Sequence, residues 1–401
     1  MLRHLMRLVW NRRRAGMLLV LEIFFSFLAT CAVATLGLYC WDNYRRPLGF
    51  DHRDVWSVAI SSQSRAVGGA PDAAASARLE TLVREVGSLA PVVAVAAASK
   101  VPYGIGEDRA TFAFERGPVT FNFSEVSRDF DRVLRLRPVA GRWFARGDDL
   151  LGWQPVVINR ALARAVYQDE DPIGRRFGLP DRAGVEPERR VIGVVDDYRE
   201  GGELAGSRPF LFGLHEPGAR RGGSLSCLAI RVRPGTSAAF EDELVKRMQA
   251  AAPEWTFSVE TLAEARDSYF RQRLALLLAG GLMAFFLLVM IGLGMVGVVW
   301  QNLLLRTREI GLRRAAGAAR SAVRLQILFE QLLLATLGMA AGLVLVAQVP
   351  LLDAAGFLSG GVLGGGVAMA MASIYLLVAA STLHPSILAS RVQPAEALRF
   401  E

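Results

Sequence analysis

The sequence predicts an α-helical membrane protein: four transmembrane helices, with a large extracytoplasmic α+β domain of two subdomains inserted between the first and the second. Three features predict it. Apolar runs at residues 17–39, 274–300, 325–349 and 362–383 each reach the roughly 20 residues that a helix needs to cross a bilayer. The stretch between the first two has ordinary globular composition and alternates strand-like with helix-like periodicity. Residues 306–324, RTREIGLRRAAGAARSAVR, place six arginines and one acid between two apolar runs. An arginine at the bilayer centre costs about 2.5–3.5 kcal/mol, so this segment lies outside the hydrocarbon.

In chain order, residues 1–16 carry Arg3, Arg7, Arg12, Arg13 and Arg14, and the positive-inside bias assigns them to the cytoplasm. The first span, 17–39, includes Ala32-Val33-Ala34 of signal-cleavage form and Leu28-Ala29-Thr30-Cys31, faintly like a lipoprotein box. Its apolar run is longer than a signal peptide's, which favours a retained anchor. Residues 40–270 form the extracytoplasmic domain. Within it, strands are expected at 55–60, 91–98, 226–233 and 255–261, with helices at 75–89 and 237–251. Residues 111–123 read as a hairpin turning at Arg116-Gly117-Pro118. The block 141–212 reads as an inserted subdomain, with a helix at 159–167 and a buried strand at 190–195. A charged helix at 262–273 runs without a breaker into the second span, as a stalk whose end and span occupy 271–300. Residues 301–324 then form a cytoplasmic loop, and 350–361, whose only charge is Asp353, an extracytoplasmic one. The tail, 384–401, returns to the cytoplasm.

The composition excludes several functions. The net charge of +8 sits mostly in the cytoplasmic flanks, where it is topogenic and does not point to nucleic acid. Cys31, Cys40 and Cys227 make no disulfide framework, and His4, His52, His215 and His384 lack metal-ligand spacing. Asp148-Asp149 and Asp196-Asp197 read as turn or solvent acids rather than acid–base pairs, and Arg146-Gly147-Asp148 as a chance adhesion tripeptide. No G-x-S-x-G, H-E-x-x-H or P-loop occurs, so no catalytic residue, metal or cofactor is assigned. Glu22 and Glu330 are acids inside apolar spans, candidates for a polar contact between helices because they are costly there. Gly292, Gly294 and Gly297 in the second span, with Gly360-xxx-Gly364 and Gly361-xxx-Gly365 opening the fourth, favour close helix packing, in a dimer or within one subunit.

Three stretches resemble one family, the FtsX/MacB-like permease subunits of ABC transporters. TREIGLRRAAGAARSAVRLQILFEQLLLATLG, beginning at Thr307, resembles its cytoplasmic coupling segment and third helix. The tail matches the family's P-x-E-A-L-R ending at Pro394, Glu396, Ala397, Leu398 and Arg399. GRWFARGDD, VVINRALARAVYQDEDPIGRRF and RVIGVVDDYR resemble its periplasmic core domain. His384 and Ala316 depart mildly from the pattern. The resemblance implies that Arg308, Glu309, Ile310, Gly311, Arg313, Arg314 and Gly317 dock on a cytoplasmic ATPase. Only 16 residues precede Met17, so the expectation is a separate ATPase chain that binds the ATP. It further implies a bacterial inner-membrane location, a second permease (identical or related), and a periplasmic adaptor with an outer-membrane channel. Efflux of a hydrophobic or amphipathic compound or a peptide is the leading function; lipoprotein release and regulation of a cell-wall hydrolase are the alternatives.

Overall fold

The computed structural model describes residues 13–62, 73–104, 106, 108–178, 188–215, 225–305, 312, 319–351 and 358–389. The chain divides into two compact units, Asn43–Gln272 on one hand and Met1–Asp42 with Arg273–Glu401 on the other.

The first unit is built on a ten-stranded mixed sheet. Its elements are β1 (Val55–Ser62), α2 (Ala73–Gly87), β2 (Val92–Ala98), β3 (Arg109–Phe114), β4 (Gly117–Val126), α3 (Phe130–Leu134), β5 (Pro138–Gly141), β6 (Gln154–Asn159), α4 (Arg160–Tyr167), β7 (Arg189–Val195), β8 (Phe210–Leu214), β9 (Cys227–Val232), α5 (Ala239–Ala251) and β10 (Trp255–Thr261). The strand order is β10-β1-β9-β2-β4-β8-β6-β7-β5, with β3 paired to β4. β4–β8 and β6–β7 are parallel. Residues 141–212 supply β6, β7 and β8, which join the same sheet because Asn122–Val126 of β4 pairs with Phe210–Leu214.

The period of two along β9 shows how the sheet separates its faces. Leu228, Ile230 and Val232 pack with Leu79 and Leu82 of α2 and Phe240, Leu244 and Met248 of α5. Ala229, between them, belongs to the opposite core, with Phe130, Trp143, Tyr198, Phe210, Phe212 and Leu262. Leu82 and Leu244 are fully buried, so truncating either to alanine costs about 2–5 kcal/mol. A third cluster, around Phe112, Phe121, Ile158, Leu162 and Phe177, covers the β6–β7 end.

Two local expectations are refined. The hairpin turns at Glu115-Arg116, since Phe114 pairs with Gly117 and Ala113 with Pro118. Gly117 takes φ +122°, open to glycine, and so begins the strand instead of lying at the tip. The helix after β6 starts one residue later than its first polar residue because Asn159 is its cap. The Asn159 Oδ1 accepts from Leu162 N and Phe210 N, both at 2.9 Å, and its Nδ2 donates to Arg208 O at 2.7 Å. One fully buried amide thus caps α4 and ties it to β8.

The second unit contains α1 (Arg13–Tyr44), α6 (Leu262–Leu305, whose first turns belong to the other unit), α7 (Arg320–Val346), α8 (Gln348–Leu351) and α9 (Gly360–Ala389). Four of them, at Met17–Tyr44, Leu262–Gln301, Ser321–Val346 and Gly360–Leu383, are long and apolar enough to cross a membrane. On three of them buried side chains recur every four residues: Leu19, Ile23, Phe27 and Cys31 on α1, Ile291 and Met295 on α6, Ala370, Ile374 and Val378 on α9. That spacing places each series on a single helix face.

Candidate functional site

The segment that the resemblance makes the coupling segment joins the end of α6 at Leu305 to the start of α7 at Arg320. Arg308, Glu309, Ile310, Gly311, Arg313, Arg314 and Gly317 lie outside the described residues, as do Pro394, Glu396, Ala397, Leu398 and Arg399 of the tail. Within the segment, Leu312 is helical and 56% exposed.

The contacts around α1 define how the segment's helices are held. A Cβ at Gly338 of α7 would stand 2.8 Å from Val20 O and 2.9 Å from Ile23, and one at Gly342 would stand 2.5 Å from the Phe27 ring. On α9, a Cβ at Gly366 would meet Thr35 Oγ1 at 2.0 Å and one at Gly365 would meet Leu38 at 2.9 Å. On α6, Gly280 lies against Val33 and Gly294 against Glu22. Rising numbers on α7 match rising numbers on α1, whereas on α6 they match falling ones. α7 is therefore parallel to α1 and α6 antiparallel, the alternation that successive crossings require.

The sequence-predicted membrane residues fall into two groups. Glu22 places its carboxylate over Gly294, 3.1 Å from where a Cβ would stand, so the glycine makes room for the acid between α1 and α6. Glu330 accepts from Gln326 Nε2 at 3.2 Å, one turn back on the same helix. Gly292 receives Leu377 of α9 at 3.4 Å. Gly297, Gly360, Gly361 and Gly364 have open space at the Cβ position, because they face away from the neighbouring helices of the subunit. Close packing inside the subunit instead falls on Gly338, Gly342, Gly365 and Gly366, of which Gly338-xxx-Gly342 has the same small-residue spacing, a signal that sequence reasoning missed. A polar contact that the sequence did not mark joins α7 to α9: Thr336 Oγ1 and Tyr375 OH lie 2.9 Å apart.

In the soluble unit, the motif 141–149 is a structural clamp. Gly141 (φ +68°) leaves no room for a Cβ, which would stand 2.2 Å from Ile192 O. Arg142 then donates two hydrogen bonds to Asp148, at 2.6 and 2.7 Å, and Ala145 N donates to the same carboxylate at 2.9 Å. The Arg142 guanidinium, opposing desolvation, holds the Asp148 carboxyl below its ordinary range. Asp149 pairs with Arg128 at 2.8 Å. Asp148 is buried, which closes the adhesion-tripeptide reading. Among the described residues, no group of three or more His, Cys, Asp and Glu is placed to hold a metal.

Residues 17–247 match the MacB-like periplasmic core domain, and residues 281–389 match the FtsX-like permease C-terminal domain. The chain belongs to the MacB-like, FtsX-like family of ABC transporter permeases. Similar proteins include the macrolide export ATP-binding/permease protein MacB of Bdellovibrio bacteriovorus, 26% identical over 69% of this chain and 43% of that protein. The MacB proteins of Chromobacterium violaceum and Bordetella avium are 30% and 27% identical, over 55% and 73% of this chain and 34% and 45% of theirs. This permease chain thus spans less than half the length of these relatives. The crystal structure of the periplasmic region of MacB from Actinobacillus actinomycetemcomitans aligns at TM-score 0.39 and 13% identity, over 55% of this chain and 94% of that one. The chain is a multi-pass membrane protein with a large periplasmic domain.

Proposed function

We propose that this permease couples ATP hydrolysis by a cytoplasmic ATPase subunit to conformational change in its periplasmic domain. The observation that supports this reading is α6. It leaves β10 at Leu262 and continues unbroken to Leu305, where the coupling segment begins. Its 44 residues extend about 66 Å at roughly 1.5 Å per residue. A displacement of the segment is thereby passed along one continuous helix. Charges in the spans are few and confined to their ends, which favours work done in the periplasm over conduction through the bilayer. In this reading both termini are cytoplasmic, two permease chains act together, and the cargo is a hydrophobic or amphipathic compound or a peptide, carried out through an adaptor and an outer-membrane channel. The arginine forks of Arg313 and Arg314 suit paired carboxylates on the ATPase, with Arg308, Glu309, Ile310, Gly311 and Gly317 completing the docking surface. Reversing both charges, Arg313→Glu with Arg314→Glu, abolishes co-purification of the ATPase while membrane insertion is retained. Undiminished co-purification overturns the docking assignment.

A further inference from the structure

The chain leaves α1 and re-enters α6 beside one loop, residues 199–205, and all of the following contacts lie within the unit Asn43–Gln272. Arg199 is 2% exposed, and its guanidinium donates to main-chain oxygens on both sides of this junction. It reaches Arg46 O at 2.8 Å, Glu203 O at 2.7 Å and Ala205 O at 2.6 Å. Gly49 closes the same junction: at φ +82°, a Cβ there would stand 2.0 Å from Asp197 O. The loop is thus pinned to the segment that follows α1 by a fully satisfied buried cation.

Its hold on α6 is of a different kind. Leu262 is fully buried in the core; one turn later the helix is held by the pair of Glu203 with Arg266 Nε, alongside Ala265 and Tyr269, which pack on the core, Tyr269 also lying against the Tyr103 ring. The Glu203 side chain is 12% exposed and that of Arg266 30%. Beside this pair lies the Tyr103 hydroxyl, buried and without a hydrogen-bond partner. The Arg266 guanidinium stands next to it and favours the ionised phenol, opposing the burial. Burial, and after it the Glu203 carboxylate, push the Tyr103 phenol well above its usual range, so it remains a neutral donor. Tyr103 moves with the loop: its N donates to Glu200 O at 2.9 Å, and a Cβ at Gly202 (φ +77°) would stand 2.6 Å from its ring. Arg266 moves with the helix. A buried hydroxyl with no partner costs about 1–3 kcal/mol, and it is positioned beside an acceptor that another donor occupies.

We propose that Glu203 is a two-position clasp on the base of α6: it binds Arg266 when the helix is seated, and accepts from Tyr103 when the helix turns outward about Leu262. Its use in transmission rests on the proposed coupling role of α6; its existence does not. The exchange keeps the largely buried carboxylate hydrogen-bonded in both positions, which gives the helix base two discrete arrangements.

The test is amide hydrogen exchange over residues 262–270 of the full chain in detergent micelles, without ATPase. Tyr103→Phe alone leaves exchange unchanged, because the hydroxyl is unpartnered in the seated form. Arg266→Ala raises it, and Tyr103→Phe added to Arg266→Ala raises it about tenfold further, as Glu203 then lacks both donors. Glu203→Gln in the Arg266→Ala background removes most of that dependence on Tyr103. If Tyr103→Phe has the same effect with and without Arg266, the clasp is refuted. The measurement needs no ATPase, so an unchanged co-purification in the Arg313/Arg314 variant leaves it standing and the two proposals fail separately.

Discussion

Gly364 and Gly366 lie two residues apart on α9 and make opposite predictions. A methyl at Gly366 would stand 2.0 Å from Thr35 Oγ1 and 2.8 Å from both Thr35 Cα and Thr35 N. The hydroxyl can rotate away; the backbone atoms can yield only if α1 and α9 separate. Overpacking of this kind costs about 1–3 kcal/mol, or more where backbone is the obstacle. Against it stands the gain of about 1 kcal/mol from replacing glycine by alanine within a helix. Gly366→Ala is therefore neutral to destabilising by about 2 kcal/mol. Gly364 has open space, so Gly364→Ala collects the propensity gain alone and is stabilising by up to about 1 kcal/mol. The difference between the two, about 1–3 kcal/mol, is free of error in the propensity because it cancels. Thermal unfolding of the purified subunit in one detergent reads it directly, with Gly364→Ala melting above Gly366→Ala. Equal melting temperatures, or the reverse order, refute the packing of α9 on α1.

Two further outcomes concern the soluble unit. Arg199→Ala leaves the carbonyls of Arg46, Glu203 and Ala205 without their donor and destabilises this unit by about 3 kcal/mol or more; Arg199→Lys recovers only a fraction, since one ammonium cannot replace a planar fork. Urea unfolding followed by tryptophan fluorescence checks both. Asp148 carries a depressed carboxyl, so its contribution is fully present above the unfolded value near 3.9 and is lost as pH falls through the lower folded value. The stability gap between wild type and Asp148→Asn, measured by thermal unfolding from about pH 6 downward, accordingly narrows in acid and is constant above about pH 5.

Elements with a strong local signal were legible in the sequence. β10 is found at the residues its alternation marks, and the charged helix 262–273 continues into the second span as one helix, Leu262–Leu305, as the lack of a breaker at their junction implies. β5, β6 and β8 were missed. β5 is four residues long, and the apolar runs at Val156–Ile158 and Phe210–Phe212 are too short for periodicity to separate strand from helix. The glycines show the same limit inside the membrane. Small-xxx-small spacing marked Gly360 and Gly364, but spacing identifies a face of a helix and not what the face meets.

Local composition by itself determined the four spans, the position of the basic segment and the strands and helices of strong period, because hydropathy and period act over single turns and pleats. Only the tertiary structure decided which side chains carry the architecture. Arg199 reaches Arg46 across 153 residues of chain, and Arg266 reaches Glu203 across 63. Gly338 and Gly366 matter through what α1 places over them. Such contacts join segments whose separation along the chain carries no period, and their energies arise only once folding has removed both partners from water.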